Sequence, residues 1–280
     1  MLLPSHSASR GLPLDVGAVR GAPDGVARPA ARPLAELFGA APVAGGTSPR
    51  GAAAVNVVPC ERSELLNRCL NVLIAGIALM ILAPVCVLVA LAIKLTSPGP
   101  VFYTQTRVGL DRRWRRDADD GDAGSDDERR QEDLCGRPFT ILKFRSMRTD
   151  AEAGGQAVWA TKHDPRITPI GQILRKSRLD EIPQLINVLR GEMNIVGPRP
   201  ERPSIVVRLC EHVHEYPQRH RVKPGITGWA QINHSYDASI EDVRTKVRYD
   251  LEYLGRQGLA FDLKIMVMTL PVMLFKRGAH

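Results

Sequence analysis

The longest apolar run in the chain is Leu65 to Leu95, LLNRCLNVLIAGIALMILAPVCVLVALAIKL. From Leu70 to Ile93 only Asn71 is strongly polar and no residue is charged. As a helix, that stretch would measure roughly 36 Å, enough to reach across a hydrocarbon core. Pro84 lies inside it. Its ring removes the hydrogen bond to the Met80 carbonyl, which predicts a break or kink there. Arg62 and Arg68 precede the run, and Lys94 and Arg107 follow it. Basic flanks mark cytoplasmic ends, so basic flanks on both sides predict a re-entrant helix that enters and leaves by one leaflet. A kinked helix that spans the bilayer is the alternative.

Ser97-Pro98-Gly99-Pro100 ends the helix. Val101 to Val108 and Pro138 to Met147 then alternate and are rich in β-formers, which predicts a small hairpin. Between them, residues 111–135 carry an arginine cluster and an acidic stretch with no apolar period. This reads as a solvated, disordered insert at the hairpin tip. Lys143 and Arg145 alternate with Leu142 and Phe144, so the two cations share one strand face, turned either to solvent or to an anionic ligand.

A second period falls at Ile182, Leu185, Ile186 and Leu189, the i, i+3, i+4, i+7 of a helical face. Pro183 suits the start of that helix, where its missing N–H is not needed. The acidic pair Asp180-Glu181 then falls at the helix N-terminus, after the basic run Arg175, Lys176 and Arg178. Such an end keeps carboxylates ionised and accepts phosphate. An ordinary N-cap role for Asp180 is the plainer alternative. Further on, VGPRPERP presents Arg199 and Arg202 on a stiff backbone suited to clamping phosphate. In EHVHEYPQRH, His212 and His214 are two apart, the wrong spacing for a helical zinc pair, so these histidines read as surface residues. KPGITGWAQIN is a Gly-rich turn, and Asp237 to Tyr253 is an amphipathic helix carrying Asp250. The apolar tail after Phe261, interrupted by Pro271, is too short to span. It either lies in the interface or packs on the first helix.

Composition narrows the class. The 280 residues carry a formal charge of +8 with only 5% aromatics. A basic surface suits anionic lipid or phosphorylated substrates, and no stacking-aromatic motif for nucleic acid is present, so none is expected as a partner. The five cysteines form no CxxC and read as reduced thiols. Residues 1–62, rich in Ala, Pro, Gly and Arg, read as a disordered extension. The expected fold is α+β and mainly helical. It has a re-entrant (Pro-broken) membrane helix at 63–97, followed by a domain at 98–280 with a small β-hairpin and interfacial amphipathic helices.

Taken in order, SPGPVFYTQTRVG, FTILKFRSM, DPRITPIG, LRKSRLDEIPQLINVLRGEMNIVGPRPE and KPGITGWAQIN resemble the bacterial sugar transferase family, monotopic phosphoglycosyl transferases acting on polyprenyl phosphate. The resemblance runs from about Glu64 to the C-terminus, and RYDLEYL, FDLKI and KRGAH match members that initiate exopolysaccharide or O-antigen units. It implies transfer of a sugar 1-phosphate, a hexose such as glucose or galactose, from a UDP-sugar to undecaprenyl phosphate, with release of UMP. It implies Asp180 as nucleophile and Glu181 with Mg²⁺ on the diphosphate. Arg175 and Arg199 fall at phosphate-contact positions, and Lys143, Arg145 and Asp250 are further candidates. Direct attack of the lipid phosphate in a ternary complex, and a non-catalytic membrane scaffold, are the alternatives. The implied location is the cytoplasmic face of the bacterial inner membrane, with the bilayer as partner. A second copy of the chain or polysaccharide-assembly proteins stay open as further partners. The acidic insert departs from the family pattern, and larger members carry N-terminal transmembrane helices, so the sequence reads as a compact member.

Overall fold

The computed structural model describes residues 56–112, 134–151, 164–234 and 239–274. The expected disorder of residues 1–55 and of most of the acidic insert lies outside the described residues.

Helix α1, Glu64–Thr96, is N-capped by the Ser63 hydroxyl, which accepts from the Leu66 N–H. It continues as helix on both sides of Pro84, so the proline does not end the element. A proline removes one helical bond but not its neighbours, and a long apolar helix tolerates that loss. The face bearing Leu73, Ile77, Met80, Ile81, Leu88, Leu91 and Leu95 is exposed along the whole length. The opposite face buries Asn71, Ala75, Val89 and Ile93.

Strands β1, Phe102–Val108, and β2, Pro138–Phe144, form the predicted antiparallel hairpin. Its register sets Tyr103 against Lys143 and Thr104 against Leu142. Helix α2, Pro169–Ser177, follows, with Thr168 as N-cap. A 3₁₀ turn at Leu179–Glu181 leads into α3, Gln184–Arg190. A second, parallel pair joins β3, Asn194–Val196, to β4, Gly225–Thr227. Three-residue strands are too short to alternate, so neither was predicted. The Gly-rich turn has its reason here: a Cβ on Gly197 or Gly225 would run into the other segment's backbone. Between the two strands lie α4, Pro203–His212, and a 3₁₀ stretch at Tyr216–Arg221. Helices α5, Trp229–Asn233, α6, Ile240–Arg256, and α7, Leu259–Leu274, complete the chain.

The hydrophobic core has several centres. One joins Ala75 of α1 to Ile141 of β2 and to Leu185, Val188 and Met193. Another joins Val89 and Ile93 of α1 to Phe144 and Leu174. Behind the hairpin, Val108 packs with Ile205, Val206 and Leu209 of α4 and Val243 and Val247 of α6. Helix α7 exposes Leu259, Leu263, Val267 and Leu270 while burying Asp262 and Ile265, and continues through Pro271. Its main neighbours are α5, β3 and β4.

Residues 56–62 correct the expected boundary of the extension. The Val57 N–H donates to Gln218, the Cys60 N–H to the Leu254 carbonyl, and Arg62 pairs with Asp262 at 3.2 Å. A segment whose backbone groups are satisfied by two other elements belongs to the folded body.

Candidate active site

The acidic pair sits where α2 stops. Arg178 takes φ 59°, a left-handed conformation disfavoured for a residue with a side chain, and the chain reverses there. Leu179–Glu181 then closes one 3₁₀ turn, with the Ile182 N–H donating to the Leu179 carbonyl. Pro183 occupies the cap of α3, where it has no N–H to satisfy. Asp180 and Glu181 therefore precede the helix and lie outside its first turn, and Asp180 is not its N-cap. The reversal turns both carboxylates inward, leaving each 8% exposed.

Three elements converge on Glu181. Lys143 of β2 reaches its Oε1 at 3.0 Å, Arg199 of the Pro-rich loop reaches the same oxygen at 2.6 Å, and Arg178 stands at 3.9 Å. Burial alone would raise the Glu181 pKa, but Arg199 and Lys143 overcome it and hold the carboxyl well below its usual range. Arg199 is raised in return, chiefly by Glu181. Asp180 goes the other way. Burial and the neighbouring Glu181 charge push it up, against Lys143, Arg175 and Arg199. Its Oδ1 is buried without a hydrogen-bond partner among the described residues. So the pair divides into a pinned, ionised Glu181 and a more basic Asp180 with an unsatisfied oxygen. Sequence reasoning expected a helix end to act on both carboxylates alike, whereas the buried turn shifts them in opposite directions.

The remaining candidates separate. Arg175 is half-buried on α2 and acts on Asp180 through its charge. Arg145 does not face a ligand. It lies past the end of β2, is 5% exposed, and donates to the Ser97 and Pro98 carbonyls and the Ser97 hydroxyl at 2.6–2.8 Å. It fixes the exit of α1, because carbonyls just beyond a helix end need donors. Asp250 is likewise not open to a phosphate. It is 2% exposed and binds Arg219 through Nε at 2.8 Å and Nη2 at 2.7 Å.

That buried pair has a structural task that the sequence did not reveal. Arg219 Nη2 donates to the Arg199 carbonyl at 2.9 Å, and Nη1 to the Tyr216 hydroxyl at 2.8 Å. Arg107 donates to the Pro200 carbonyl and pairs with Glu201, which Lys246 also reaches. The Pro-rich loop is thus held on two sides, and Arg199 with it. Asn187 is a second residue missed. Its Oδ1 accepts from the Leu142 N–H and its Nδ2 donates to the Thr140 carbonyl, fastening α3 to β2 and aligning Lys143 with Glu181. Asn187 falls off the Ile182–Leu189 face, so the apolar period carried no signal for it.

The family model for bacterial sugar transferases matches residues 62–116 and 126–276, most of the described fold and the whole site. The chain belongs to the bacterial sugar transferase family. The match omits 117–125, inside the acidic insert. Among similar proteins, the UDP-glucose:undecaprenyl-phosphate glucose-1-phosphate transferase of Escherichia coli K12 is 39% identical over 209 residues, covering 74% of this chain and 40% of that protein. A protein of the same description from Caulobacter vibrioides is 36% identical over 225 residues, covering 80% and 75%. The UDP-N-acetylgalactosamine-undecaprenyl-phosphate N-acetylgalactosaminephosphotransferase of Aeromonas hydrophila is 36% identical over 225 residues, covering 80% and 47%. Against the first and third of these, the bacterial sugar transferase chain spans less than half of the relative's length.

Proposed function

We propose that this chain transfers a sugar 1-phosphate, most simply glucose 1-phosphate, from a UDP-sugar to undecaprenyl phosphate, and so initiates a surface glycan. The observation that carries the reading is the division of the acidic pair: a buried carboxylate with an unpartnered oxygen beside one neutralised by two cations. A nucleophile needs a lone pair not already committed to hydrogen bonds, and Asp180 Oδ1 has one.

In the proposed reaction, an Asp180 oxygen attacks the β-phosphorus. The P–O bond to the bridging oxygen breaks, and UMP leaves with that electron pair. A phosphate oxygen of the lipid then attacks the aspartyl-phosphosugar, the Asp180–phosphorus bond breaks, and the carboxylate is restored. Each step brings anions together, so the barrier is largely electrostatic. Lys143, Arg199 and Arg175 surround the pair and lower that barrier, and Arg199 arrives with its carbonyl already fixed by Arg219. The residues fit a Mg²⁺ that would be held by the ionised Glu181 together with the diphosphate itself, leaving the unpaired Asp180 oxygen for attack. When bound, such an ion would neutralise diphosphate charge.

The seating of α1 supports a re-entrant course at the cytoplasmic face. Arg68, near its start, donates to the Val188 and Leu189 carbonyls of α3, and Asn71 accepts from the Ile195 N–H. Val89 and Ile93, near its end, pack on Phe144 and Leu174. Both halves rest on one body. The largely exposed stretch between them, residues 80–84, is about 7.5 Å of helix, far short of the ~30 Å of a hydrocarbon core.

The test is UMP release from a panel of UDP-sugars by protein in nanodiscs, with Mg²⁺ and undecaprenyl phosphate. Release with one sugar, lost on chelation, is expected. Without the lipid phosphate, a stoichiometric burst of UMP supports the covalent route. Absence of a burst favours direct attack in a ternary complex. No release from any sugar would refute the reaction class.

A further inference from the structure

The chain's five cysteines read as isolated thiols in sequence, yet the fold brings two of them into contact. Cys135 lies where the acidic insert returns to the hairpin, and Cys210 lies on α4, 75 positions away. Their sulfurs are 3.2 Å apart and both residues are half-buried, so a small oxidant has access. The approach is set by shared packing on one core cluster. Leu134, Cys135 and Cys210 all pack against the cluster of Val108, Ile205, Leu209 and Val243. Cys60 and Cys69, in contrast, are exposed, and Cys86 lies on α1.

We propose that Cys135 and Cys210 form a reversible disulfide that clamps the catalytic segment, closed by a hydroperoxide and reopened by a dithiol. One thiolate attacks the O–O bond, giving a sulfenic acid and releasing an alcohol or, from hydrogen peroxide, water. The second sulfur displaces the sulfenic oxygen, the S–S bond forms, and water leaves. Two electrons pass from the two sulfurs to the peroxide. The covalent ring encloses β2, α2, the Asp180-Glu181 turn, α3, β3 and Arg199, every element that builds the acidic site. Cross-linking so long a loop removes freedom from the unfolded chain, while the folded one needs to close the sulfurs by only about 1 Å. The proposal is independent of which reaction the site performs.

The test uses the full chain in nanodiscs with Cys60→Ser, Cys69→Ser and Cys86→Ser, leaving the pair alone. After hydrogen peroxide, alkylation and peptide mapping, a 135–210 cross-linked peptide is expected. It should be lost with dithiothreitol, and absent when either Cys135→Ser or Cys210→Ser is added. The oxidised form should unfold roughly 5 °C higher than the reduced form. Alkylation of both thiols after peroxide, or oxidation of Cys135 to the sulfinic acid without a cross-link, would overturn the pair. A cross-link with no change in unfolding temperature would overturn the clamp.

Discussion

Asp180→Asn should make the protein more stable while removing its activity. The side chain is 8% exposed, and burial and Glu181 together disfavour its ionised form. The amide keeps the shape and removes the charge. Lys143, Arg175 and Arg199 pull the other way, since they lose one counter-charge, but the raised pKa of Asp180 says that burial and Glu181 prevail. Relief of an active-site charge of this kind is worth about 0.5–2 kcal/mol. In a domain of this size that is a rise of a few degrees in unfolding temperature, at about 2–4 °C per kcal/mol. Turnover should fall by at least ~10³-fold, because nothing else in the site replaces the nucleophile. Two assays read this out: thermal unfolding in nanodiscs, and UMP release with capture of radiolabelled phosphosugar on the protein. A variant that unfolds several degrees lower would refute the electrostatic reading of the turn. A variant that keeps more than a few per cent of turnover would refute Asp180 as nucleophile.

Three further outcomes follow from the same geometry. The acid limb of kcat/KM should lie above the ordinary aspartate range near ~4, since an ionised Asp180 is required and its pKa is raised; Lys143→Met, which removes a charge that lowers it, should move the limb to still higher pH, and a limb at or below ~4 would contradict the assignment. Asp250→Ala should cost about 3–5 kcal/mol in thermal unfolding by stranding the buried Arg219 charge, whereas the double change Asp250→Leu with Arg219→Met should recover much of that stability but not the positioning of Arg199, so kcat stays low. Burial, reinforced by Arg219, pushes the His220 imidazole down to about 3; its stability contribution is therefore complete above the unfolded pKa near 6.5 and is lost as pH falls toward about 3, so unfolding at pH 5 should show about 2 kcal/mol of loss that His220→Asn lacks.

What could be read from the sequence was what depends on period and composition. The 33-residue helix, the hairpin and the helix after the acidic pair each declare themselves over a stretch long enough to carry a pattern. The acidic pair and its two cations, Lys143 and Arg199, were also legible, since the motif order resembles a known family. What escaped was set by tertiary contact. Arg145 and Lys143 alternate identically on paper, but β2 ends at Phe144, and one residue beyond the strand the side chain caps α1 instead. Asp250 looks like any acidic residue on an amphipathic helix until Arg219 arrives from a 3₁₀ stretch 31 positions earlier. His220 reads as one of three polar histidines, but the 3₁₀ stretch turns it inward, edge-on to Tyr216. The β3–β4 pair joins segments about 30 positions apart and shows beforehand only as glycines that admit a close backbone.

The position of the acidic pair relative to a bilayer follows from its two flanking residues. Leu179 and Ile182 bracket Asp180-Glu181, and both pack on the cluster that Val89 and Ile93 of α1 form with Phe144 and Leu174. Ile182 also joins the cluster around Ala75, on the other half. The turn is therefore tied to both halves of the helix through these two clusters, by apolar residues adjacent to the carboxylates. Were the pair on a long loop, its depth would vary with the loop. Here a shift of α1 along the bilayer normal carries the carboxylates with it, because core packing does not stretch. In the proposed seating, the outward stripes of α1 and α7 would set how deep the body rides, while the Arg145 cap on Ser97 and Pro98 stops the helix exit from drifting away from β2, where Lys143 sits one position from Phe144. The proposed reaction, whose acceptor phosphate would lie in the headgroup layer, needs such a fixed depth. That requirement accounts for a membrane helix that packs along a catalytic body at both of its ends.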